Sequence, residues 1–358
     1  MVAFQREFFP PPPALLMPAV GLDISDRSIK FVELVRFRHG LRLGRFGTRV
    51  VPDGVIEEGK VKNPQKFSAL LVELKRAEHF DFIRASLPEE QVYTFMVRVP
   101  KDAAGDINSA VEFQLEEYVP IPVADTVFSW NIANEHSNVL DIQVSAASRD
   151  LVKDYTTAFV SAGLVLKSLE LETSALARAV LPHGNKGIHM LVDFGHMRTG
   201  IAIISNGLPV FTSTTDIGGY NLTSVIAKNF KIPFDEAEHL KKTYGLQRGT
   251  DKPEIFALLL NELSILRDEI NKHYIYWHTH GTGKDFHEQS RIEKIILSGG
   301  DANIKGLVGY LSSSMQIDVE LANAWINVTD MENYVPEITF NDSLSFAPAV
   351  GLALVDYF

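Results

Sequence analysis

The stretch VGLDISDRSIKFVEL, Val20 to Leu34, brings an apolar run to an aspartate, crosses a polar turn and then returns to apolar alternation. That pattern predicts two strands, Val20 to Ile24 and Ile29 to Arg36, joined by a tight turn. A further run near Leu41 to Val50 extends them into a three-strand meander. The same order returns later, in IHMLVDFGHMRTGIAIISNGLPVFTSTTDIGG. There a strand ends at Asp193, a turn follows, a strand runs through Ile201 to Ile204, and an Asn206-Gly207 turn leads into one more strand. Asn-Gly between apolar runs is a strong hairpin signal, because both residues tolerate positive φ. Two strand-aspartate-turn-strand units about 170 residues apart predict two related lobes facing one cleft.

A cleft of this kind suits a polyphosphate. Tight turns from each side bring backbone N–H groups to phosphate oxygens. Carboxylates at the strand ends hold the waters of Mg²⁺, which contacts protein through only one or two carboxylates. Asp23 and Asp193 are placed for that role. Either one alone reads equally well as a turn initiator; the pair in equivalent positions is what points to the metal. A third segment, RIEKIILSGGDANIKGLVGYLSSSM, runs a strand (Ile292 to Leu297) into Ser298-Gly299-Gly300 and then a helix. Its glycines let a flat ligand such as an adenosine approach the main chain, or they serve a plain strand-helix turn.

Composition narrows the classes. The chain has 358 residues, 46% hydrophobic and 22% charged, which is room for two core-bearing domains. A formal net charge of −11 argues against a general binder of nucleic acid or anionic membrane. With no cysteine, disulfides, thiolate metal sites and cysteine nucleophiles are excluded, which fits a cytoplasmic protein. No apolar run approaches the ~20 residues that span a bilayer. Four consecutive prolines at Pro10 to Pro13 interrupt any signal-like helix, so residues 1–18 are expected to form an extended arm.

Between the two repeated units lie a helix with Phe67, Leu70, Leu71 and Leu74 on one face, a strand at FIRASLP, and a compact unit of strand, helix, two strands and helix from about Glu89 to Gly163. The expected division is a first lobe of 19–88 and 164–186, an inserted α+β subdomain of 89–163, a second lobe of 187–345 whose outer part is about 224–285, and a C-terminal helix of 346–358 returning to the first lobe.

At the three ligand segments the sequence resembles the actin-like ATPase superfamily, and within it the PilM family of type IV pilus assembly. The stretches VEFQLEEYVPIPVADTVFSWNI, LELETSALARAVLP, DEAEHLKKTYG and FAPAVGLAL resemble that family in chain order, so the likeness runs from about Val20 to the C-terminus. It implies an α/β, two-lobed actin-like ATPase (ribonuclease H-like) fold with a small FtsA-like α+β insertion in the first lobe. It assigns Asp23, Ser25, Asp26, Ser28 and Lys30 to a first phosphate turn. Asp193, Gly195, His196, Arg198 and Thr199 go to a second, with Gly218 and Gly219 closing that segment. Glu238 and Lys241 would reach ribose and adenine beside Ser298, Gly299, Gly300 and Asn303. Their i, i+3 spacing puts both on one helical face, a geometry that also suits an ordinary ion pair.

The implied cofactors are ATP and Mg²⁺, the latter held through water by Asp23 and Asp193. Relatives usually carry Gly at the position of Ser25 and small residues at those of His196 and Asp301, and these departures argue against rapid hydrolysis. The implied partner is the cytoplasmic N-terminal tail of a PilN-like inner-membrane protein, docked on the inserted unit in a groove bordered by Tyr118 and Ile121. Pilus ATPases and further copies of the chain are additional expected partners, and membrane association is expected only through partners. A related secretion or DNA-uptake machine fits the same features. An FtsA-like division scaffold would be expected to add a C-terminal membrane helix beyond GLALVDYF, and an actin-fold small-molecule kinase would need a catalytic aspartate that does not emerge.

Other features carry less. HTHGTGKDF ends like a phosphate-binding loop, but His278 stands at the required first glycine and Asp285 follows the lysine. The histidines at 273, 278, 280 and 287 read as a solvated loop rather than a metal site. The arginines of RFRHGLRLGRFG read as the exposed face of a hairpin, with a basic patch as the alternative.

Overall fold

The computed structural model describes residues 17–37, 40–101, 106–249, 251–280, 291–329 and 334–358. Most of the expected N-terminal arm and His287 lie outside the described residues. β1 (Val20–Ile24) and β2 (Ser28–Phe37) form the hairpin implied by the opening stretch, with Asp23 opposite Lys30. β3 (Gly40–Val50) pairs antiparallel with β2. A minor hairpin, β4 (Ile56–Glu57) and β5 (Lys60–Val61), precedes helix α1 (Pro64–Glu78). Asn63 caps α1 by accepting from the Lys66 N–H, Pro64 supplies the fixed φ of a first helical residue, and Phe67, Leu71 and Leu74 are its buried stripe.

β6 (Phe82–Leu87) lies parallel to β1. The chain then leaves the sheet for β7 (Val92–Pro100), α2 (Ile107–Tyr118), β8 (Thr126–Glu135), β9 (Val139–Ser148) and α3 (Arg149–Ser161), the strand-helix-strand-strand-helix order expected of the insertion. Its three strands make a separate sheet in the order β7-β9-β8, with a core of its own that includes Phe95, Val111, Leu115 and Ile142. β10 (Val165–Leu171) returns to pair parallel with β6, and α4 (Glu172–Val180) follows.

The second unit repeats the first strand for strand. β11 (Ile188–Phe194), β12 (Thr199–Ser205) and β13 (Leu208–Thr215) form an antiparallel meander, with Asn206 and Gly207 both at positive φ in its second turn. Helices α5 (Gly219–Phe230), α6 (Phe234–Tyr244) and α7 (Pro253–His280) come next. β14 (Lys294–Ser298) then lies parallel to β11, and after α8 (Leu307–Met315) β15 (Val319–Leu321) lies parallel to β14. The two sheets, β10-β6-β1-β2-β3 and β15-β14-β11-β12-β13, therefore share one pairing plan. Asp23 and Asp193 each occupy the penultimate position of the central strand.

After a short helix, α9 (Phe340–Ser343), the chain ends in α10 (Ala347–Leu354), whose eight residues are all buried. α10 packs against α4 and β1 so closely that a Cβ on Gly351 would lie 1.7 Å from the Ala175 carbonyl oxygen, and one on Gly21 2.1 Å from that of Ala349. The largest apolar core runs from β11, β12 and β14 through α4 and α10 to Val32 and Leu34 of β2. One continuous core thus joins the two sheets, and the cleft opens at the aspartate ends of the central strands.

Candidate functional site

A cavity of about 350 Å³ lies between the β1–β2 and β11–β12 turns, within the ~300–1,000 Å³ common for small-molecule sites. Asp23, Ser25, Asp26, Ser28 and Lys30 line it from one side, Asp193, Gly195, His196 and Arg198 from the other, with Glu238, Gly299 and Gly300 at its edge. Thr199, Gly218, Gly219, Lys241, Ser298 and Asn303 do not line it. Five of these six are buried, and Asn303 is half-buried. Thr199 and Ser298 donate their hydroxyls to the Ile217 and Leu344 carbonyls, at 2.6 and 2.9 Å. Gly218 passes so near the second turn that a Cβ would lie 2.4 Å from the His196 oxygen.

Each turn closes on itself and leaves donors over. In the first, the Ser25 N–H donates to the Ser28 carbonyl at 2.9 Å, and the Ser28 N–H donates to the Ser25 hydroxyl at 3.2 Å. The Ser25 side chain is therefore folded back into the turn instead of projecting across it. Among the described residues the Asp26 and Arg27 N–H groups have no acceptor. In the second turn the Gly195 N–H bonds back to the Arg198 carbonyl at 3.0 Å, and the N–H groups of His196, Met197 and Arg198 are likewise without a protein acceptor among the described residues. Successive unspent N–H groups in a tight turn form an anion-binding concavity.

Between the turns the side chains are acidic. Asp23 is buried, accepts from the Ser86 hydroxyl at 3.1 Å and has the Lys30 ammonium 3.6 Å away. Asp193 has its carboxyl pushed up to about 6 by burial and by the charge of Asp23, against the opposing pull of Lys30 and a hydrogen bond with Glu172. Glu172, the first residue of α4, is raised well above the ordinary carboxylate range by burial and then by Asp23 and Asp193. Such a cluster repels itself until a cation or a proton enters. Among the described residues no three His, Asp or Glu side chains are arranged to hold an ion by themselves.

Three expectations need correction or refinement. Lys241 does not reach toward the cavity: its fully buried ammonium lies 2.5 Å from Asp301, 2.8 Å from Glu238 and 3.2 Å from the Gly219 carbonyl. Lys242 lines the cavity in its stead. The pair with Asp301 follows from burial, since an ammonium out of water needs a counter-charge, and it neutralises the extra negative charge that Asp301 brings. Glu238 is raised by burial, but hydrogen bonds from Lys241, Thr223 and Lys242 outweigh this and hold its carboxyl down at about 2. Next, the glycine pair does not open directly into a helix, because α8 begins only at Leu307. Gly299, at φ +95 and with a virtual Cβ 2.4 Å from the Phe194 oxygen, is required by the backbone, whereas a Cβ on Gly300 would make only an ordinary contact, 3.8 Å from the Ser345 Cβ. Finally, His273 and His278 sit on α7 and not in a loop, the first 3.1 Å from Glu269 and the second bonded to the Tyr274 carbonyl.

The arginines of β2 and β3 are largely engaged. Arg45 pairs with Glu33 at 2.5 Å, while Arg36 and Arg42 lie over the rings of Tyr357 and Phe37. On the inserted unit, Tyr118 stacks on Phe95 at 4.6 Å and Ile121 packs on the unit's core, just before the short turn Val123–Asp125 that feeds β8. Among the described residues β8 pairs with no strand but β9, and its other edge is met near its end by the Asn206 side chain, which donates to the Ala133 carbonyl at 3.3 Å. Beside it a second cavity of about 740 Å³ is lined by Phe128 and Asn131 of β8, Leu171 and Arg178 of the first lobe, and Phe358.

Comparison with known proteins agrees with this geometry. Cell division protein FtsA of Neisseria meningitidis serogroup B (strain ATCC BAA-335 / MC58) is 27% identical over 106 residues, covering 29% of this chain and 26% of FtsA. The chain thus spans about a quarter of that relative's length. A chain of the PilM-PilN type IV pilus biogenesis complex superimposes with a TM-score of 0.79 at 23% identity, covering 96% of this chain and 99% of that one. MreB5 of Spiroplasma citri, solved bound to ADP, superimposes with a TM-score of 0.55 at 15% identity over 87% and 93% of the two chains. The fold is therefore actin-like, and the duplicated sheets are its two lobes. A family model described as type IV pilus assembly protein PilM matches residues 21–357, so the chain belongs to the PilM family of type IV pilus assembly proteins.

Proposed function

We propose that this protein is a nucleotide-binding scaffold of the type IV pilus assembly platform, with Mg-ATP bridging its lobes and the cytoplasmic tail of a PilN-like membrane protein as its partner. The observation that carries the nucleotide part is the pair of equivalent turns, each offering unspent N–H groups and one carboxylate to a shared cavity. Asp26, Arg27, His196 and Met197 would donate main-chain hydrogen bonds to phosphate oxygens. Asp23 and Asp193 would hold the waters of Mg²⁺, whose charge relieves their mutual repulsion. Bound ion and nucleotide supply the positive charge and the polyphosphate that tie one lobe to the other; the protein orients them. Gly300 leaves room for the nucleoside and Glu238 faces it from α6. His196, standing in the second phosphate turn where relatives usually carry a small residue, favours slow turnover.

For the partner, the outer edge of β8 offers main-chain pairing to an extended segment, and the neighbouring cavity offers apolar pockets for its side chains. Tyr118, stacked on Phe95 of β7, and Ile121 belong to the segment that leads into β8. Among the described residues no helix is long and apolar enough to cross a membrane, so attachment to the inner membrane through this tail is the proposed location. Calorimetry tests both halves. Mg-ATP is expected to bind at micromolar to millimolar concentration with turnover below roughly one per second, the lower end of ordinary enzymes. A synthetic tail peptide is expected to bind the wild type and to lose affinity for a Tyr118→Ala, Ile121→Asp variant that keeps its circular dichroism. Absence of nucleotide binding rejects the cofactor, and an unchanged peptide affinity moves the groove elsewhere.

A further inference from the structure

Arg198 belongs to the second lobe, yet its guanidinium is held by the first. It pairs with Glu90, lies 3.6 Å from Asp26, and reaches Asp216 of its own lobe at 3.3 Å through Nε. Asp216 is almost fully exposed, so that contact adds little. The pair with Glu90 differs, because both side chains are only 23% exposed and a partly desolvated ion pair is screened less.

The two first-lobe partners are anchored independently. The Asp26 carboxylate accepts from the Glu58 and Gly59 N–H groups at 3.0 and 2.9 Å, which fixes it to the β4–β5 turn. Glu90 sits in the short turn Glu89–Gln91 that opens directly into β7, the first strand of the inserted unit. Arg198 therefore ties the second phosphate turn to the doorway of the subdomain carrying the proposed tail groove. It also lines the cavity, with Arg27, Lys30 and Lys242, among a larger number of carboxylates.

A polyphosphate in that cavity and the Glu90 carboxylate would compete for the same guanidinium. Arginine binds both in bidentate fashion, and a phosphate carrying more than one charge is the stronger partner. Resting on the nucleotide reading above, we propose that Arg198 is an exchangeable latch: a bound polyphosphate takes the guanidinium from Glu90 and frees the entry to the inserted unit, so that occupancy of the cleft is passed to the partner-binding subdomain.

Glu90→Gln isolates this exchange, because it keeps the side chain's size and removes the competing charge. Affinities for Mg-ATP, inorganic tripolyphosphate with Mg²⁺, and adenosine would be compared in wild type and variant by calorimetry. The expected result is tighter binding of ATP and of tripolyphosphate to the variant, by about tenfold, the loss of one charge-assisted bond, with adenosine unchanged. In the wild type, ATP is also expected to speed amide exchange at Gln91 to Tyr93, an effect already present in the variant without nucleotide. Equal ATP affinities for the two proteins overturn the latch and leave the nucleotide site standing. An equal gain for adenosine overturns it as well, since general loosening would then explain the effect. If none of the three ligands binds either protein, latch and nucleotide site fall together.

Discussion

Asp193 and Glu172 share the cleft's response to pH. The folded-state carboxyl of Asp193 titrates near 6, raised from the ordinary aspartate value by burial and by Asp23. Between the unfolded and folded values the native protein holds a proton that the unfolded chain has released, so the contribution of Asp193 to stability falls as pH rises from about 4 to about 6 and levels off above that, while Glu172, also raised, adds a fall of the same sign. Asp193→Asn should flatten this dependence and stabilise the ligand-free protein at pH 7 by on the order of 1–2 kcal/mol. It should also weaken Mg-dependent nucleotide binding. Thermal melts across pH 4–7 check the first expectation, and a variant with the wild-type slope would reject it. Asp23 and Asp193 were legible in the sequence because each ends an apolar strand before a turn. Glu172 and Glu90 were not. Glu172 stands in the quoted LELETSALARAVLP stretch, but only the parallel pairing of β6 with β10 carries it to the central strands. Lys241 misled because i, i+3 spacing shows which face a residue shares and not how deeply that face is buried.

At the scale of elements, the meanders and the inserted unit were readable because alternation and turn residues act over a few positions. The 28-residue α7 was missed, although Ile255, Leu259, Leu263, Leu266 and Ile270 recur at helical spacing and are all buried. The histidines at its end read as a loop, whereas the apolar spacing before them specifies a helix that runs on through His273 and His278. α10 presents the opposite case: its composition is uniformly apolar, so periodicity says nothing, and its place is set by glycines. Gly351 lets α10 lie against the Ala175 backbone, as Gly21 lets β1 lie against α10. Gly351→Ala forces these elements apart and should destabilise the protein by about 3 kcal/mol or more, the upper range for overpacking. Urea denaturation measures the loss. A cost below about 0.5 kcal/mol, typical of neutral surface changes, would show that α10 can shift without penalty.

For the whole molecule, the repeat at about 170 residues was enough to predict two lobes, because each copy states its own sheet. What no local pattern could state is how the copies face each other. Arg198 and Glu90 are 108 residues apart, and the apolar core joining the lobes runs through α4 and α10, which lie on opposite sides of the second lobe in sequence. The two-sided cleft has a consequence that a single-lobe site would not share. The unspent N–H groups at Asp26 and Arg27 belong to one sheet, and those at His196 and Met197 to the other. A ligand that bridges the lobes must engage both sets together, since its phosphates lie between them. Hydrogen exchange followed by mass spectrometry should therefore show Mg-ATP slowing exchange in both turns, by about tenfold or more at saturating nucleotide, with the same concentration dependence. Protection confined to the first turn, or two midpoints at different concentrations, would mean that the nucleotide rests on one lobe and that closure of the cleft is a separate event.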